Sequence, residues 1–493
     1  MVAAAVARAR AAQPGWAARS PNERARIVRR FHEVLYRRRF EIAELVTRES
    51  GKPIIDALAT DVTVSLDFAK WTAGAVPRFQ RSSWRGAAGI TMWRKRVRFE
   101  RRPLGVIGVI SPWNYPFFLP TACTLPVIAC GNAAILKPSE FTPGSGAVLE
   151  ELWREAGLPE GVLQVIQGDG VSGAALTRGG VDKMIFTGGS AAGRQVAIAC
   201  AEQMIPCSLE LGGSDAAIVL ADADLRHAAD GIVWTRFSNA GQTCVAPKRV
   251  YVEQAAYAAF VEAASRAVRA LRVGAGRDVD SEVGPLIRPQ SVEAITAQLD
   301  DAKQKGARVL AQAAAPSGQG GTFFPPTLLT EVRTGMRVLD EETFGPLLPV
   351  VPVRDADEAI ALANASSFGL SASVWTRDRA RGLAIARRLE SGTVLINDAV
   401  TVVGMPDVPY GGIKKSGLGR LHGEAGLEEC VHSTAIVDDR FATWHQPWWF
   451  RYGAAHRENI EAYQRLAHGR GLLERLSGLP GTIRMLLTRK GTA

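Results

Sequence analysis

LGVIGVISPWNYPFFLPTACTLPVIACGNAAILKPSE, residues 104–140, decides the architecture. VIGVI at 106–110 and AAILK at 133–137 are too short for helices and apolar on both faces, as strands covered on both sides must be. VLQVI at 162–166 and KMIF at 183–186 repeat the pattern, with helical stretches between them. Strands that alternate with helices form a parallel sheet, because each crossover returns the chain to begin the next strand in the same direction. A second series starts near Ala216, where AAIVL, RVYVE, LLPVVPV and VLIND are separated by helical runs around 256–271, 291–304 and 379–390. The expectation is an α/β protein with two α/β domains. Gly105, Gly108, Pro112, Pro116, Pro120, Pro126 and Gly131 interrupt the apolar stretch from Leu104 to Leu136, which is therefore expected as buried strands and loops and not as a membrane span.

Outward from this stretch, a length of 493 residues exceeds what one hydrophobic core organises, and 47% hydrophobic with 22% charged residues is a globular composition. Residues 22–50 carry apolar and charged side chains at helical spacing, behind a cap at Ser20 with Pro21 at the first helical position. The stretch Ala311 to Gly321 reads as a surface loop. The six cysteines show no CxxC or metal-finger spacing and are expected as reduced thiols, with no metal site, in a cytoplasmic protein. MVAAAVARARAAQ has too short an apolar run for a secretory signal. The net charge of +10 is concentrated at one end, where nine basic residues from Arg440 onward face three acidic ones. No nucleic-acid motif accompanies it, so no nucleic-acid partner is expected.

Several motifs could carry chemistry. GDGVSG, Gly168 to Gly173 with Gly170 at its centre, matches a dinucleotide fingerprint by the letter, yet an isolated match is more often a glycine-rich strand-to-helix turn. FTGGSAAG offers Gly188, Gly189 and Gly193 around another helix start, where backbone N–H groups could meet a pyrophosphate. Cys244 in NAGQTCVAP lies in a polar, glycine-containing stretch where a thiolate would be a strong nucleophile, although a single cysteine is more often a small buried hydrophobe. Glu210 in SLELGGSDA is an acid among apolar neighbours, a pattern that a solvated or capping glutamate also gives.

SPWNYPF, GNAAILKPSE, FTGGSAAGR, LELGG, GQTC, EETFGP and PYGGIKKSGLGR occur together in one order between residues 111 and 420, and in this the chain resembles the aldehyde dehydrogenase superfamily. The resemblance extends over roughly residues 10–438. It implies a nucleotide-binding domain over 1–80 and 103–212, a catalytic domain over 213–405, and an oligomerisation element made by a β hairpin at 81–102 and a strand at 425–440. It also implies oxidation of an aldehyde to a carboxylic acid with NAD, NADP being possible. Cys244 would be the nucleophile, Asn114 the oxyanion donor and Glu210 the base that activates water against a thioester.

For the cofactor, the resemblance assigns Lys137, Ser139 and Glu140 of KPSE, Trp113, Gly188, Gly189 and Gly193, Leu211 of LELGG, and Glu342 and Phe344 of EETFGP. The acid at Glu140 favours NAD over NADP, since it repels a 2′-phosphate. Gly189, Ser190 and Ala191 stand where many members have Ser, Thr and Glu, which removes one side-chain contact to the pyrophosphate. Around the aldehyde, Tyr115, Leu119, Ala122, Thr243 and Val245 are uncharged, pointing to an apolar or aromatic aldehyde. Two alternatives stay open, a coenzyme A-acylating enzyme and a non-catalytic relative that keeps the fold. A homodimer or tetramer is the expected assembly. The extension 441–493 gathers Trp444, Trp448, Trp449, Phe450 and Tyr452 ahead of a leucine- and arginine-rich stretch broken by Gly478, Pro480 and Gly481. It packs on protein or touches a membrane surface peripherally.

Overall fold

The computed structural model describes residues 1–316, 321–441, 446, 448–450 and 452–487. Two compact units emerge, one formed by Met1–Gln80 with Arg102–His432 and the other by Arg81–Arg101 with Ser433–Ala493.

Two α/β sheets build the first unit. In the six-stranded sheet the order is Gly417–Leu418, Cys207–Glu210, Lys183–Thr187, Val106–Ile110, Ala133–Lys137 and Leu163–Val165, parallel except for the antiparallel edge Gly417–Leu418. The seven-stranded sheet runs Arg308–Gln312, Thr327–Thr330, Leu347–Val353, Pro247–Glu253, Asp215–Val219, Ser371–Trp375 and Thr393–Ile396, again with one antiparallel edge, Arg308–Gln312. Ser371–Trp375 is a buried strand that was not anticipated; SASVW alternates small polar with apolar residues, which hides a strand buried on both faces.

Residues 22–50 form two helices, Pro21–Arg37 and Arg39–Ser50. The first starts at a reciprocal capping box, the Ser20 side chain accepting from the Glu23 N–H and the Glu23 carboxylate from the Ser20 N–H at 2.8 Å. Its apolar face buries Val28, Phe31 and Leu35. Ahead of it, Val2–Ala17 is also helical. The stretch Leu104–Leu136 departs from its strand-and-loop reading, because Phe118–Ala129 is a helix buried on nearly every side. Pro120 sits in its first turn, where no N–H partner is needed, and Pro126 is tolerated inside it. The supposed loop from Ala311 likewise begins as the end of the strand Arg308–Gln312, and its residues 317–320 lie outside the described residues.

The second unit holds a three-stranded sheet in the order Trp84–Gly86, Lys95–Pro103 and Val431–Asp439. The first two strands form an antiparallel hairpin through the turn Ile90–Met92. EECVHSTAIV becomes a strand only from Val431, after a short helix Gly423–Glu428. Beyond it lie the helices Ala454–His468, Leu472–Ser477 and Leu479–Leu487. Gly478 separates the last two, but Pro480 and Gly481 fall in the first turn of the third helix and do not break it. Trp444 lies outside the described residues. No helix among the described residues is long and apolar enough to cross a membrane.

Candidate active site

The strand order of the six-stranded sheet reverses at Val106–Ile110: the chain continues through Ala133–Lys137 and Leu163–Val165 on one side of it and then returns to Lys183–Thr187 on the other. In open α/β sheets the crevice outside the carboxyl ends at such a reversal receives the ligand. Three carboxyl ends supply it here: Asn114 follows Ile110, Gly188 and Gly189 follow Thr187, and Glu210 ends Cys207–Glu210. Cys244 comes from the other sheet, on the loop that enters Pro247–Glu253. All five line one cavity of about 550 Å³.

The Asn114 and Cys244 loops are stitched to one another. Asn114 Nδ2 donates to the Gln242 carbonyl at 3.0 Å, and Asn239 Nδ2 donates to the Asn114 carbonyl at 2.7 Å. A primary amide carries two N–H groups, so a second donor remains on Asn114, which lines the cavity. Asn239 and Ala240 hold left-handed backbone, φ 51° and 55°, a cost tolerated where surrounding bonds over-determine a segment. The Asp56 carboxylate secures it by accepting from the Asn239 N–H at 3.2 Å. Tyr115 and Thr243 join the same two loops through their hydroxyls at 2.8 Å.

Cys244 Sγ lies 3.6 Å from the Tyr410 hydroxyl. Burial pushes the thiol up to about 11, while the Lys248 ammonium and the Tyr410 hydroxyl pull it back down. Lys248 is itself buried, which lowers its pKa; its Nζ donates to the carbonyls of Thr243, at 2.9 Å, and Cys244, and stands 3.7 Å from Glu342. Glu210 is buried with neither carboxyl oxygen hydrogen-bonded. Desolvation holds its carboxyl well above the usual range, against the opposing pull of Arg420, which favours the acid form over the carboxylate.

Toward the opposite end, the helix Ser190–Glu202 begins at Gly189 with no side-chain cap and no acid in its first turn, and the space beside Gly189 is open. Free N–H groups and the positive end of the helix dipole suit a pyrophosphate. The helix Gly170–Thr177 differs, since the Asp169 side chain already accepts from the Val171 N–H at 3.0 Å. Gly193 packs one turn into its helix, where a Cβ would stand 2.3 Å from Leu211 Cδ2. Trp113 meets Phe344 edge-on at 5.6 Å, and the Glu342 carboxylate accepts from the Gly213 N–H at 3.0 Å. The Lys137 ammonium is 3.4 Å from the half-exposed Glu140, and Ser139 Oγ accepts from the Phe141 N–H at 3.3 Å.

Among the residues named from sequence, the cavity gathers Cys244, Glu210 and Asn114, then Trp113, Gly188, Gly189, Leu211, Glu342 and Phe344, and finally Tyr115, Leu119, Ala122, Thr243 and Val245. Lys137, Ser139, Glu140, Gly170 and Gly193 are not part of its lining.

Sequence reasoning missed five participants, Lys248 and four more. Tyr410 lies inside PYGGIKKSGLGR, where it received no role, and His422 follows that motif by two residues. The two rings stack at 5.1 Å, with Phe68 edge-on to His422 at 4.6 Å. His422 Nδ1 is buried without a partner, and burial lowers its pKa to about 3, which keeps the imidazole neutral. Lys52 and Asp61 form a fully buried ion pair at 2.6 Å. Asp61 Oδ1 accepts from the N–H groups of Phe117 and Phe118, each at 3.1 Å, and Lys52 Nζ lies 3.9 Å from the centre of the Tyr115 ring. The pair thereby seats the turn that carries Asn114 and Tyr115. No local pattern marks it, because its partners lie more than fifty residues downstream.

Comparison with known proteins identifies the family. The model of the aldehyde dehydrogenase family matches residues 1–436. A 4,4'-diapolycopene aldehyde oxidase of Methylomonas sp is 38% identical over 428 residues, covering 87% of this chain and 80% of that one. The NADP(+)-dependent succinate-semialdehyde dehydrogenase of Escherichia coli is also 38% identical over 428 residues, covering 86% of this chain and 87% of that one. Among solved structures, a Mycobacterium tuberculosis aldehyde dehydrogenase complexed with NAD+ matches with a TM-score of 0.84 at 35% identity, over 88% of this chain and 89% of that chain. The chain therefore belongs to the aldehyde dehydrogenase family, as an oxidoreductase that uses NAD or NADP.

Proposed function

We propose that the enzyme oxidises an uncharged apolar or aromatic aldehyde to its carboxylic acid through a covalent bond to Cys244, with NAD preferred to NADP. One observation carries this reading: the Cys244 thiol, the Asn114 amide and the Glu210 carboxyl share a cavity with a largely apolar wall. Val64, Phe118, Leu119, Trp234, Val403 and Leu421 contribute to that wall. The arginine in the lining, Arg288, lies over the Phe141 ring at 5.0 Å, beside Glu140 and so at the nucleotide end. A carboxylate brought to the apolar wall would lose its water and gain no counter-charge. Relatives are named for both kinds of substrate, one a diapolycopene aldehyde oxidase and others succinate- or glutarate-semialdehyde dehydrogenases. The apolar wall favours the former kind.

In this reading the Cys244 thiolate adds to the aldehyde carbon and forms a thiohemiacetal. Its oxyanion accepts hydrogen bonds from Asn114 Nδ2 and the Cys244 backbone N–H, and removing one such donor typically costs about 2.7 to 4 kcal/mol. Lys248 fixes the carbonyls around the nucleophile and supplies positive charge near it, and the Tyr410 hydroxyl holds the sulfur. NAD(P), when bound, supplies the hydride acceptor, and the acyl group is left on Cys244 as a thioester. Ionised Glu210 then takes a proton from the water that attacks the thioester, releasing acid and thiol. Glu140 and Lys137 would hold the adenosine ribose, Gly188, Gly189 and Trp113 the pyrophosphate, and Glu342 and Phe344 the nicotinamide ribose and ring. Glu140 favours a 2′-hydroxyl over a 2′-phosphate by charge.

We also place the working enzyme in the cytoplasm as a homodimer or tetramer, assembled through Val431–Asp439, which ends its sheet with one edge unpaired among the described residues. A peripheral membrane contact through residues 440–493 belongs to the same reading.

A panel of alkyl, aromatic and carboxylate-bearing aldehydes, followed by NADH formation, tests the assignment. Apolar aldehydes should give the highest kcat/KM, and Cys244→Ala should abolish turnover while leaving NAD binding intact. A preference for semialdehydes overturns the substrate class, and more than about one per cent residual activity in Cys244→Ala overturns the nucleophile.

A further inference from the structure

The helices of the second unit turn apolar residues outward. Ala454–His468 and Leu479–Leu487 meet through small groups: Ala462, Gly481 and Thr482 are buried, and a Cβ on Gly481 would lie 2.5 Å from that of Ala462. Leu479, Ile483 and Leu487 instead recur at i, i+4 and i+8, a single helical stripe, and all three are exposed. Leu472 and Leu473 of the neighbouring short helix are 74% and 84% exposed, and Phe450 is 83% exposed. Such a stripe left in water marks a surface with a partner.

The same unit carries the net charge of the chain. Arg81–Arg101 with Ser433–Ala493 holds sixteen Lys and Arg against six Asp and Glu, a net +10 equal to that of the whole protein. Most of its acids are already engaged within the unit. Asp438 pairs with Arg96 at 2.6 Å, Asp439 with Lys95 at 2.7 Å and Glu461 with Arg457 at 2.7 Å, while Glu474 accepts from the Arg470 N–H at 2.9 Å.

We propose that this leucine stripe and its surrounding arginines dock on an anionic phospholipid surface. The leucines enter the acyl boundary, the arginines meet lipid phosphates, and the exposed Trp448 and Trp449 sit at headgroup level. A second copy seated on the stripe would cover the leucines but set arginine against arginine around it. Nucleic acid would satisfy the arginines but leave the leucines wet. The biological purpose rests on the apolar-aldehyde reading, since an apolar aldehyde partitions into lipid; the docking itself rests on the tail alone.

Co-sedimentation of the full-length protein with vesicles of phosphatidylcholine alone, or with about a third phosphatidylglycerol, tests the proposal. Binding should require the anionic lipid and weaken on raising salt. Leu473→Glu with Ile483→Glu, which spares the buried seam, should reduce it at least tenfold while leaving kcat/KM for a short water-soluble aldehyde unchanged. Absence of wild-type binding to the anionic vesicles overturns the proposal. So does a double variant that binds vesicles normally, or one whose loss of binding is matched by dissociation of the oligomer in light scattering, which assigns the stripe to a second copy. Tight binding of a random DNA duplex that the double variant retains in full, with no vesicle binding, reassigns the arginines to nucleic acid. A semialdehyde preference in the aldehyde panel leaves the vesicle result untouched, so the two readings fail separately.

Discussion

Glu210 shows how burial can weigh on a proposed catalytic base. Neither oxygen is hydrogen-bonded and desolvation holds the carboxyl well above its usual range, so burial opposes the carboxylate that a base requires. In the proposed scheme only hydrolysis needs that base. Glu210→Gln should therefore give a stoichiometric burst of NADH in a stopped-flow trace, followed by turnover slowed about 10²- to 10⁴-fold. Equal loss in the burst and in the steady state would assign Glu210 to an earlier step. The sign of the wild-type pH response follows from the same shift: steady-state turnover falls as pH drops toward the raised pKa, while the burst amplitude persists. Cys244 is displaced in the same direction, to about 11, so alkaline conditions also favour the thiolate, with Lys248 and Tyr410 supplying the opposing pull.

Elements decide what each side chain can reach. Lys137 ends the strand Ala133–Lys137, and Glu140 follows within one turn, which places the acid at the carboxyl edge of the sheet where a nucleotide ribose belongs. If its charge discriminates against a 2′-phosphate, Glu140→Ala should narrow the ratio of NAD to NADP binding constants by roughly tenfold, an effect of about 1.4 kcal/mol, measured by quenching of protein fluorescence. A wild type that binds both cofactors equally would deny Glu140 that role. The strands and glycine turns around this site were legible because each is a local pattern: VIGVI, AAILK and KMIF announce buried strands, and Gly188 and Gly189 announce a helix start. The strand Ser371–Trp375 was not, since its serines conceal its burial, and Phe118–Ala129 was misread because its prolines resemble loop punctuation. Lys52, Asp61, Lys248, Tyr410 and His422 eluded the sequence for another reason. Each acts on a residue that the fold, and not the chain, brings near, or carries a side chain whose ordinary place is on the surface.

At the scale of the whole molecule, buried titratable groups set the conditions under which the fold holds. His422 keeps a pKa of about 3 in the fold against 6.5 in an open chain, because desolvation penalises its cation. Stability from this site is full above pH 6.5 and falls as pH drops from there toward 3, since the unfolded chain gains a proton that the folded one refuses. The slope for one proton is about 1.4 kcal/mol per pH unit. Urea unfolding of wild type and His422→Phe between pH 7 and 5 should show the variant losing less stability on acidification, because phenylalanine keeps the packing on Phe68 and has no proton to bind. Parallel pH dependence of the two would show that His422 does not contribute to the acid limit.

The cavity wall is drawn from scattered parts of the chain. Ala59, Thr60 and Val64 come from the N-terminal helices, and Val400, Val403 and Gly404 from a turn beyond the seven-stranded sheet, each remote in sequence from Cys244, Glu210 and Asn114. An inherited change at any of them reshapes the space offered to a guest while the groups proposed to make and break bonds stay as they are. Diet can therefore drift across generations without loss of the craft, and a laboratory seeking new substrates would begin by recombining these walls.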